Sequence, residues 1–223
     1  MKLISIFSIF LVFAACSTTR EVKEKFTVDL KSPQISTGTI SAQFEGILSF
    51  GGLKRYDVNI SYFPVEDAVC LQYKIDFVTY YQFWNKANRD AFVNALVKYN
   101  EDYEQRNLGR SGMRSKQSYG TVNGFLIWQI ISFAKPASGN PDIDFGYLFK
   151  SNSPYFTVNQ RTAYYLDPVS RQDNKQSTEI CLYFTRAQAD ELAALFDQQF
   201  LNELSYSESN NTSRESYTER EIY

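Results

Sequence analysis

The sequence predicts an α+β protein built from two antiparallel-sheet halves, each followed by one amphipathic helix. Segments that alternate apolar and polar residues recur through residues 26–204 and are separated by turn residues. The hydrophobic period changes from two to about 3.6 after Trp84 and again after Phe184, which indicates a helix at each place. With 223 residues, of which 43% are hydrophobic, the chain can bury a sizeable core.

The first half, about residues 26–110, contains three strand candidates before its helix. They are Ile40 to Phe50, Tyr56 to Tyr62 and one long strand from Val69 to Phe83. Gly51-Gly52 and Pro64 separate the first two candidates from their successors. In the long strand, odd-numbered side chains from Val69 to Phe83 are expected on one buried face. An amphipathic helix over about residues 86–106 follows, with Asn85 or Asn88 as its N-cap.

The second half, about residues 115–204, has the same organisation. Its strand candidates are Thr121 to Phe133, Ile143 to Phe149, Tyr155 to Tyr165 and Glu179 to Phe184. Thr185 and Gln188 are spaced as a capping box that opens the second helix. If residues 26–30 form an additional strand, each half reads ββββα, which indicates either a duplication or a coincidence of β-rich patterns. In element order alone the chain resembles PUR and Whirly-type single-strand-binding folds.

The N-terminal residues have the pattern of an export signal. Lys2 precedes an apolar run over residues 3–13, and two alanines then precede Cys16. The stretch Phe13-Ala14-Ala15-Cys16 resembles the lipobox of bacterial lipoproteins. This resemblance implies removal of residues 1–15 and acylation of Cys16, so the partner of Cys16 would be membrane lipid. Ser17 follows Cys16 where retained lipoproteins of the enteric type have Asp, which favours the outer membrane.

The two ends of the mature chain are polar. Residues 16–25 read as a lipidated tether, residues 26–204 as the folded body and residues 205–223 as a disordered polar tail.

Composition excludes several kinds of chemistry. The chain contains no histidine, so neither a Ser-His-Asp triad nor a His-ligated metal is available, and we expect no metal and no other cofactor. The chain has a formal net charge of −2, whereas nucleic-acid binding requires a positively charged surface. Single-stranded nucleic acid is therefore only a remote alternative partner.

Three groups of residues are candidates for a role in the body. Cys70 and Cys181 either form a disulfide between the halves or remain two separate buried thiols, and the second alternative is favoured because two cysteines rarely meet by chance.

A ligand groove is predicted from one strand face, and its residues are Tyr80, Gln82 and Trp84.

Asp142 and Asp144 share a strand face and could bind Ca²⁺ or act as an acid/base pair, although a solvated face explains them more simply.

The resulting hypothesis is a lipid-anchored envelope protein that is not an enzyme. Its body would bind an unknown envelope protein or a small ligand. The alternative is a carboxylate-based hydrolase of the cell envelope, which would need two acids converging in one cavity.

Overall fold

The computed structural model describes residues 26–45, 52–109, 118–130, 135–165 and 176–208. Within these ranges lie ten strands and three helices. The strands are β1 (Ile35–Phe44), β2 (Lys54–Phe63), β3 (Ala68–Ile75), β4 (Val78–Trp84), β5 (Ser118–Asn123), β6 (Phe125–Ile130), β7 (Ala137–Gly139), β8 (Asp142–Lys150), β9 (Ser153–Gln160) and β10 (Ile180–Phe184). The helices are α1 (Lys86–Glu104), α2 (Arg186–Leu195) and α3 (residues 198–208).

All ten strands belong to one antiparallel half-barrel sheet, so the predicted α+β class is confirmed. The strand order is β5-β8-β9-β10-β1-β2-β3-β4-β6-β7. The two predicted halves therefore share one sheet, joined where β1 pairs with β10 and where β4 pairs with β6. The inner face of this sheet packs against α1 and α2 and forms the main hydrophobic core.

The predicted long strand from Val69 to Phe83 is two strands joined by a tight turn. Ile75 pairs with Val78, which leaves Asp76 and Phe77 as the turn residues, and Asp76 has a φ of 52°. Across this hairpin each odd-numbered residue of β3 pairs with an even-numbered residue of β4. Paired residues lie on the same face of the sheet, so the odd-numbered residues of β3 share a face with the even-numbered residues of β4. The face predicted for every residue of β4 is therefore wrong.

The predicted strand from Thr121 to Phe133 is also divided, at Gly124. The part before it, β5, pairs with β8, whereas the part after it, β6, pairs with β4. A Cβ at Gly124 would lie 2.6 Å from the Cδ1 atom of Ile143, so only glycine fits without a shift of that side chain. Residues 131–133 of the predicted strand lie outside the described residues.

Residues 26–30 do not form the additional strand considered for a ββββα repeat. This segment instead packs on the outer face of the sheet, where the Phe26 and Phe125 rings meet edge-on at 6.3 Å. Val28 and Leu30 join the same cluster, which is centred on the buried side chains of Phe63 and Phe83. The chain's own N-terminal segment thus covers the end of this outer face that contains Phe63, Cys70, Phe83 and Phe125.

Helix starts follow the sequence predictions closely. The Asn85 side chain accepts a hydrogen bond from the Asn88 amide at 3.0 Å and caps α1. Thr185 and Gln188 form the predicted capping box of α2. The C-terminal helix α3 continues to residue 208, four residues beyond the predicted end of the body, while residues 209–223 of the predicted tail lie outside the described residues.

Arg89 joins four parts of the molecule although its side chain is only 1% exposed. Its Nη1 donates to the backbone oxygens of Asp67 (2.8 Å) and Trp84 (3.2 Å). Its Nη2 donates to the Asp67 carboxylate (2.8 Å) and to Oε1 of Gln198 on α3 (2.6 Å). This buried guanidinium therefore fixes the β2–β3 turn, the end of β4 and α3 against the first turn of α1.

Candidate functional site

The outer face of β5, β8, β9 and β10 carries many polar side chains, and residues 26–30 do not pack on it. Along these strands, cross-strand pairing aligns Cys181, Asn159, Asp144 and Thr121 in one row. Two neighbouring cavities lie along this region, and they share Leu148, Asn159 and Cys181 as lining residues. We call the two cavities together the β10 groove.

The polar end of the β10 groove has a volume of about 400 Å³. Asp144 lies at its centre and accepts hydrogen bonds from Thr121 Oγ1 and from Arg161 Nε, both at 2.7 Å. The hydrogen bond to the Asp144 carboxylate raises the pKa of the Arg161 guanidinium, which favours its charged form. The polar end thus presents a fixed donor–acceptor pair beside the Thr157 and Asn159 side chains.

The apolar end of the β10 groove is larger, about 590 Å³. It is lined by side chains of the inner face, such as Tyr80 and Ile180, as well as by side chains of the outer face, such as Cys181 and Tyr183. This combination places the cavity around the start of β10, opposite the β3–β4 turn, rather than in the middle of one face. Cavities of this size are typical of small-molecule sites.

The Tyr183 side chain of β10 lines the apolar end of the groove and contacts neighbouring side chains on the same face. Its ring meets the Tyr155 ring edge-on at 6.3 Å, and Lys150 Nζ lies 5.3 Å from the Tyr183 ring centroid while it also pairs with Glu45. Burial raises the pKa of the Tyr183 hydroxyl, and the neighbouring Cys181 and Glu45 add to this effect. The phenol therefore stays neutral and acts as a packing and hydrogen-bonding group.

The groove predicted from Tyr80, Gln82 and Trp84 does not exist as an exposed surface. Trp84 and Gln82 are 0% exposed and Tyr80 is 3% exposed, because the β3–β4 turn places all three on the inner face. Trp84 and Tyr80 belong to the main core, and only Tyr80 borders the apolar end of the β10 groove. The prediction of this groove was wrong for Gln82 and Trp84.

Cys70 and Cys181 do not form a disulfide with each other, so the disulfide alternative is wrong. Cys70 lies in β3 under the N-terminal segment, whereas Cys181 lies in β10 and lines the groove. Three strand spacings separate β10 from β3, which is about 14 Å and twice the longest Cα separation that a disulfide bridges. Burial raises the pKa of the Cys70 thiol, so this thiol is an inert part of the outer cluster.

Asp142 and Asp144 do share a face, since Ile143 and Phe145 between and after them are buried. Each has its own partner: Asn123 Nδ2 donates to Asp142, and Asp144 has the two partners described above. Among the described residues, no group of three or more acidic or cysteine side chains could hold a metal ion.

Sequence reasoning missed most of the groove residues, although the alternation in β9 contained a signal. The polar residues Thr157 and Asn159 alternate along the sequence with the apolar residues Phe156 and Val158, although Thr157 is itself buried in the structure. A strand with one polar and one apolar face predicts that its polar face is not part of the core.

Cys16, the predicted lipidation site, lies outside the described residues. In the described part of the chain, no helix has both the length and the apolar character needed to cross a bilayer.

The fold and the groove define an α+β protein with a ten-stranded antiparallel sheet and a cavity at the start of β10. A protein family described as "Uncharacterised Treponema protein" matches residues 16–203, and the chain belongs to this family. An uncharacterized protein of Treponema pallidum (strain Nichols) is 28% identical over 151 residues, which cover 66% of this chain and 52% of that protein. The chain therefore spans about half the length of this curated relative. No solved structure matches.

Proposed function

We propose that this protein is a lipid-anchored component of the bacterial cell envelope whose body binds a ligand or partner in the β10 groove without catalysing a reaction. One observation carries the binding role. Residues 26–30 pack on part of the outer face of the first half, whereas the outer face of β8, β9 and β10 carries two adjoining cavities that share Leu148, Asn159 and Cys181 as lining residues.

The groove chemistry favours binding over hydrolysis. Asp144 is engaged by Arg161 and Thr121, and Glu179 accepts a hydrogen bond from Asn159 at 2.9 Å. A general acid or base needs a carboxyl group free to exchange a proton with substrate. The same fixed hydrogen-bonding groups are well suited to orienting a bound ligand.

The anchor rests on the N-terminal pattern. The short apolar run and the Ala14-Ala15-Cys16 sequence support processing before Cys16. The family match begins at residue 16, which leaves out the fifteen residues predicted to be removed. Attachment to the outer membrane, suggested by Ser17, is part of this proposal.

Detergent partitioning of Cys16→Ser tests the anchor. We expect this variant to move to the aqueous phase or to accumulate as an uncleaved precursor, because the thioether to lipid cannot form. Cys181→Ser is the matched control and should partition as the unchanged protein does. Unchanged partitioning and processing of Cys16→Ser would contradict the anchor.

Photo-crosslinking in intact cells tests the groove. A photoreactive amino acid at the exposed position Arg161 should give a defined crosslinked product, and Thr121→Trp should abolish this product by filling the polar end. The matched control is Val97→Trp, which adds the same bulk on the exposed surface of α1. Equal product yields from Thr121→Trp and Val97→Trp would show that the groove is not the binding site.

A further inference from the structure

The apolar end of the β10 groove leaves large apolar side chains in contact with water. Phe77 is 77% exposed and Ile130 is 55% exposed, and both line the cavity. Deeper in the cavity are the apolar side chains of Phe44, Ile75 and Ile180. A ligand with an apolar body would remove this surface from water, which is the main favourable contribution to binding in such sites.

All charged residues that line this cavity among the described ones are acidic, and they are Glu45, Asp76 and Glu179. Glu45 forms an ion pair with Lys150, which neutralises it. Asp76 lies in the β3–β4 turn next to Phe77, and Glu179 opens β10 on the opposite side. Both are exposed, so the mouth of the cavity has a net negative character that an approaching ligand meets first.

We propose that the apolar end of the β10 groove binds a cationic amphiphile, with its apolar body against Phe77 and Ile130 and its positive group between Asp76 and Glu179. This inference rests on the proposed binding function and adds the chemical class of the ligand. The apolar body accounts for the exposed aromatic and aliphatic surface, and the positive group accounts for carboxylates that no described lysine or arginine of the lining balances.

The neutral polar end supports the same assignment of the charge. There the Arg161 guanidinium pairs with Asp144, so the lining of that end has no net charge, and Glu179 adds only a smaller contribution to the raised pKa of Arg161. The electrostatic attraction on a cation is therefore strongest at the apolar end, where the two exposed carboxylates are located.

Three probes with the same ten-carbon chain test this inference at pH 7 and below their micelle concentrations: decyltrimethylammonium, decanol and decanoate. Calorimetry is performed on the full chain carrying Cys16→Ser, which needs no detergent. The ammonium group of decyltrimethylammonium should form ion pairs with two exposed carboxylates, so we expect its dissociation constant to be about tenfold lower than that of decanol. Decanoate should bind more weakly than decanol. Added salt should reduce this preference.

Matched variants assign the two parts of the ligand. The double variant Asp76→Asn and Glu179→Gln keeps the shape of the mouth, because Asn also tolerates the positive φ of position 76, and it should remove the preference for the cation. Phe77→Ser should weaken all three probes. Glu101→Gln makes the same charge change on an exposed position of α1 outside the cavity lining and should change nothing.

Two results would overturn the inference. Equal binding of decanoate and decyltrimethylammonium, lost in Phe77→Ser, would leave an apolar binding site but refute the cationic class. Absence of binding by all three probes would refute the ligand class altogether. Neither result decides the proposed function, because the crosslinking experiment at Arg161 measures occupation of the groove independently of these probes.

Discussion

Trp84→Ala is expected to destabilise the whole body rather than to remove a binding surface. The Trp84 ring is fully buried and packs against Phe92 of α1 (5.4 Å), Phe145 of β8 (5.6 Å) and Phe196 after α2 (5.1 Å). These contacts connect the first half of the chain with the second. Removing a buried tryptophan costs about 3–5 kcal/mol, a large part of the stability of an ordinary domain.

The measurement is urea unfolding followed by far-ultraviolet circular dichroism, together with a thermal scan. For a body of this size we expect the midpoint of thermal unfolding to fall by about 6–20 °C, since each kcal/mol corresponds to about 2–4 °C. Trp84→Phe should lose less than half as much, because it keeps an aromatic ring and Trp84 Nε1 has no hydrogen-bond partner among the described residues.

Phe77→Ala is the matched control on a surface aromatic. Since Phe77 is exposed, its loss should change the free energy of unfolding by no more than about 0.5 kcal/mol. A Trp84→Ala variant that unfolds like Phe77→Ala would show that the inner face of β4 is not packed as described, and the assignment of faces across the β3–β4 hairpin would be wrong.

Three further perturbations test other parts of the structure. Arg89→Met keeps the side-chain volume but removes four hydrogen bonds, so urea unfolding should show a loss of about 3 kcal/mol; a change below about 1 kcal/mol would contradict the role of this buried cation. Burial raises the pKa of the Tyr73 and Tyr99 hydroxyls in the folded protein. Above pH 10 the unfolded chain releases these two protons whereas the folded protein keeps them. The free energy of unfolding should therefore fall from pH 10 upward by about 1.4 kcal/mol per pH unit for each such tyrosine. Tyr73→Phe should make this fall less steep by about 1.4 kcal/mol per pH unit, and an unchanged pH dependence of urea unfolding in that variant would contradict the assignment. Gly139→Ala should be destabilising, because its Cβ would lie 2.6 Å from the backbone oxygen of Tyr164; an unchanged thermal midpoint would show that this segment can shift.

Local signals in the sequence were sufficient for the helices and for the class of fold. Asn85, Thr185 and Gln188 act within one helical turn, so their hydrogen bonds depend on sequence spacing alone. Alternation located most strands for the same reason, because a strand with one buried face repeats every two residues whatever it pairs with.

The missed features depend on residues far apart in the chain. The Asp76-Phe77 turn contains no glycine or asparagine, and because such a turn shifts the face of every later residue, a continuous alternation over the hairpin was misleading. The burial of Arg89 depends on acceptors in β4, α3 and the β2–β3 turn, which only the folded chain brings together. The β10 groove combines residues of eight strands, namely every strand except β2 and β7, and no spacing in the sequence predicts that arrangement.

Gly124 sets the perimeter of the sheet. It is the single residue between β5 and β6, yet these strands are eight positions apart in the strand order, which would be about 38 Å in a flat sheet. Residues on either side of one glycine can be no more than about 7 Å apart. The sheet must therefore roll until its first and ninth strands meet at this residue, and the backbone itself prevents it from flattening. For the ligand that we propose in the β10 groove, we therefore expect binding with side-chain adjustments rather than with opening of the sheet.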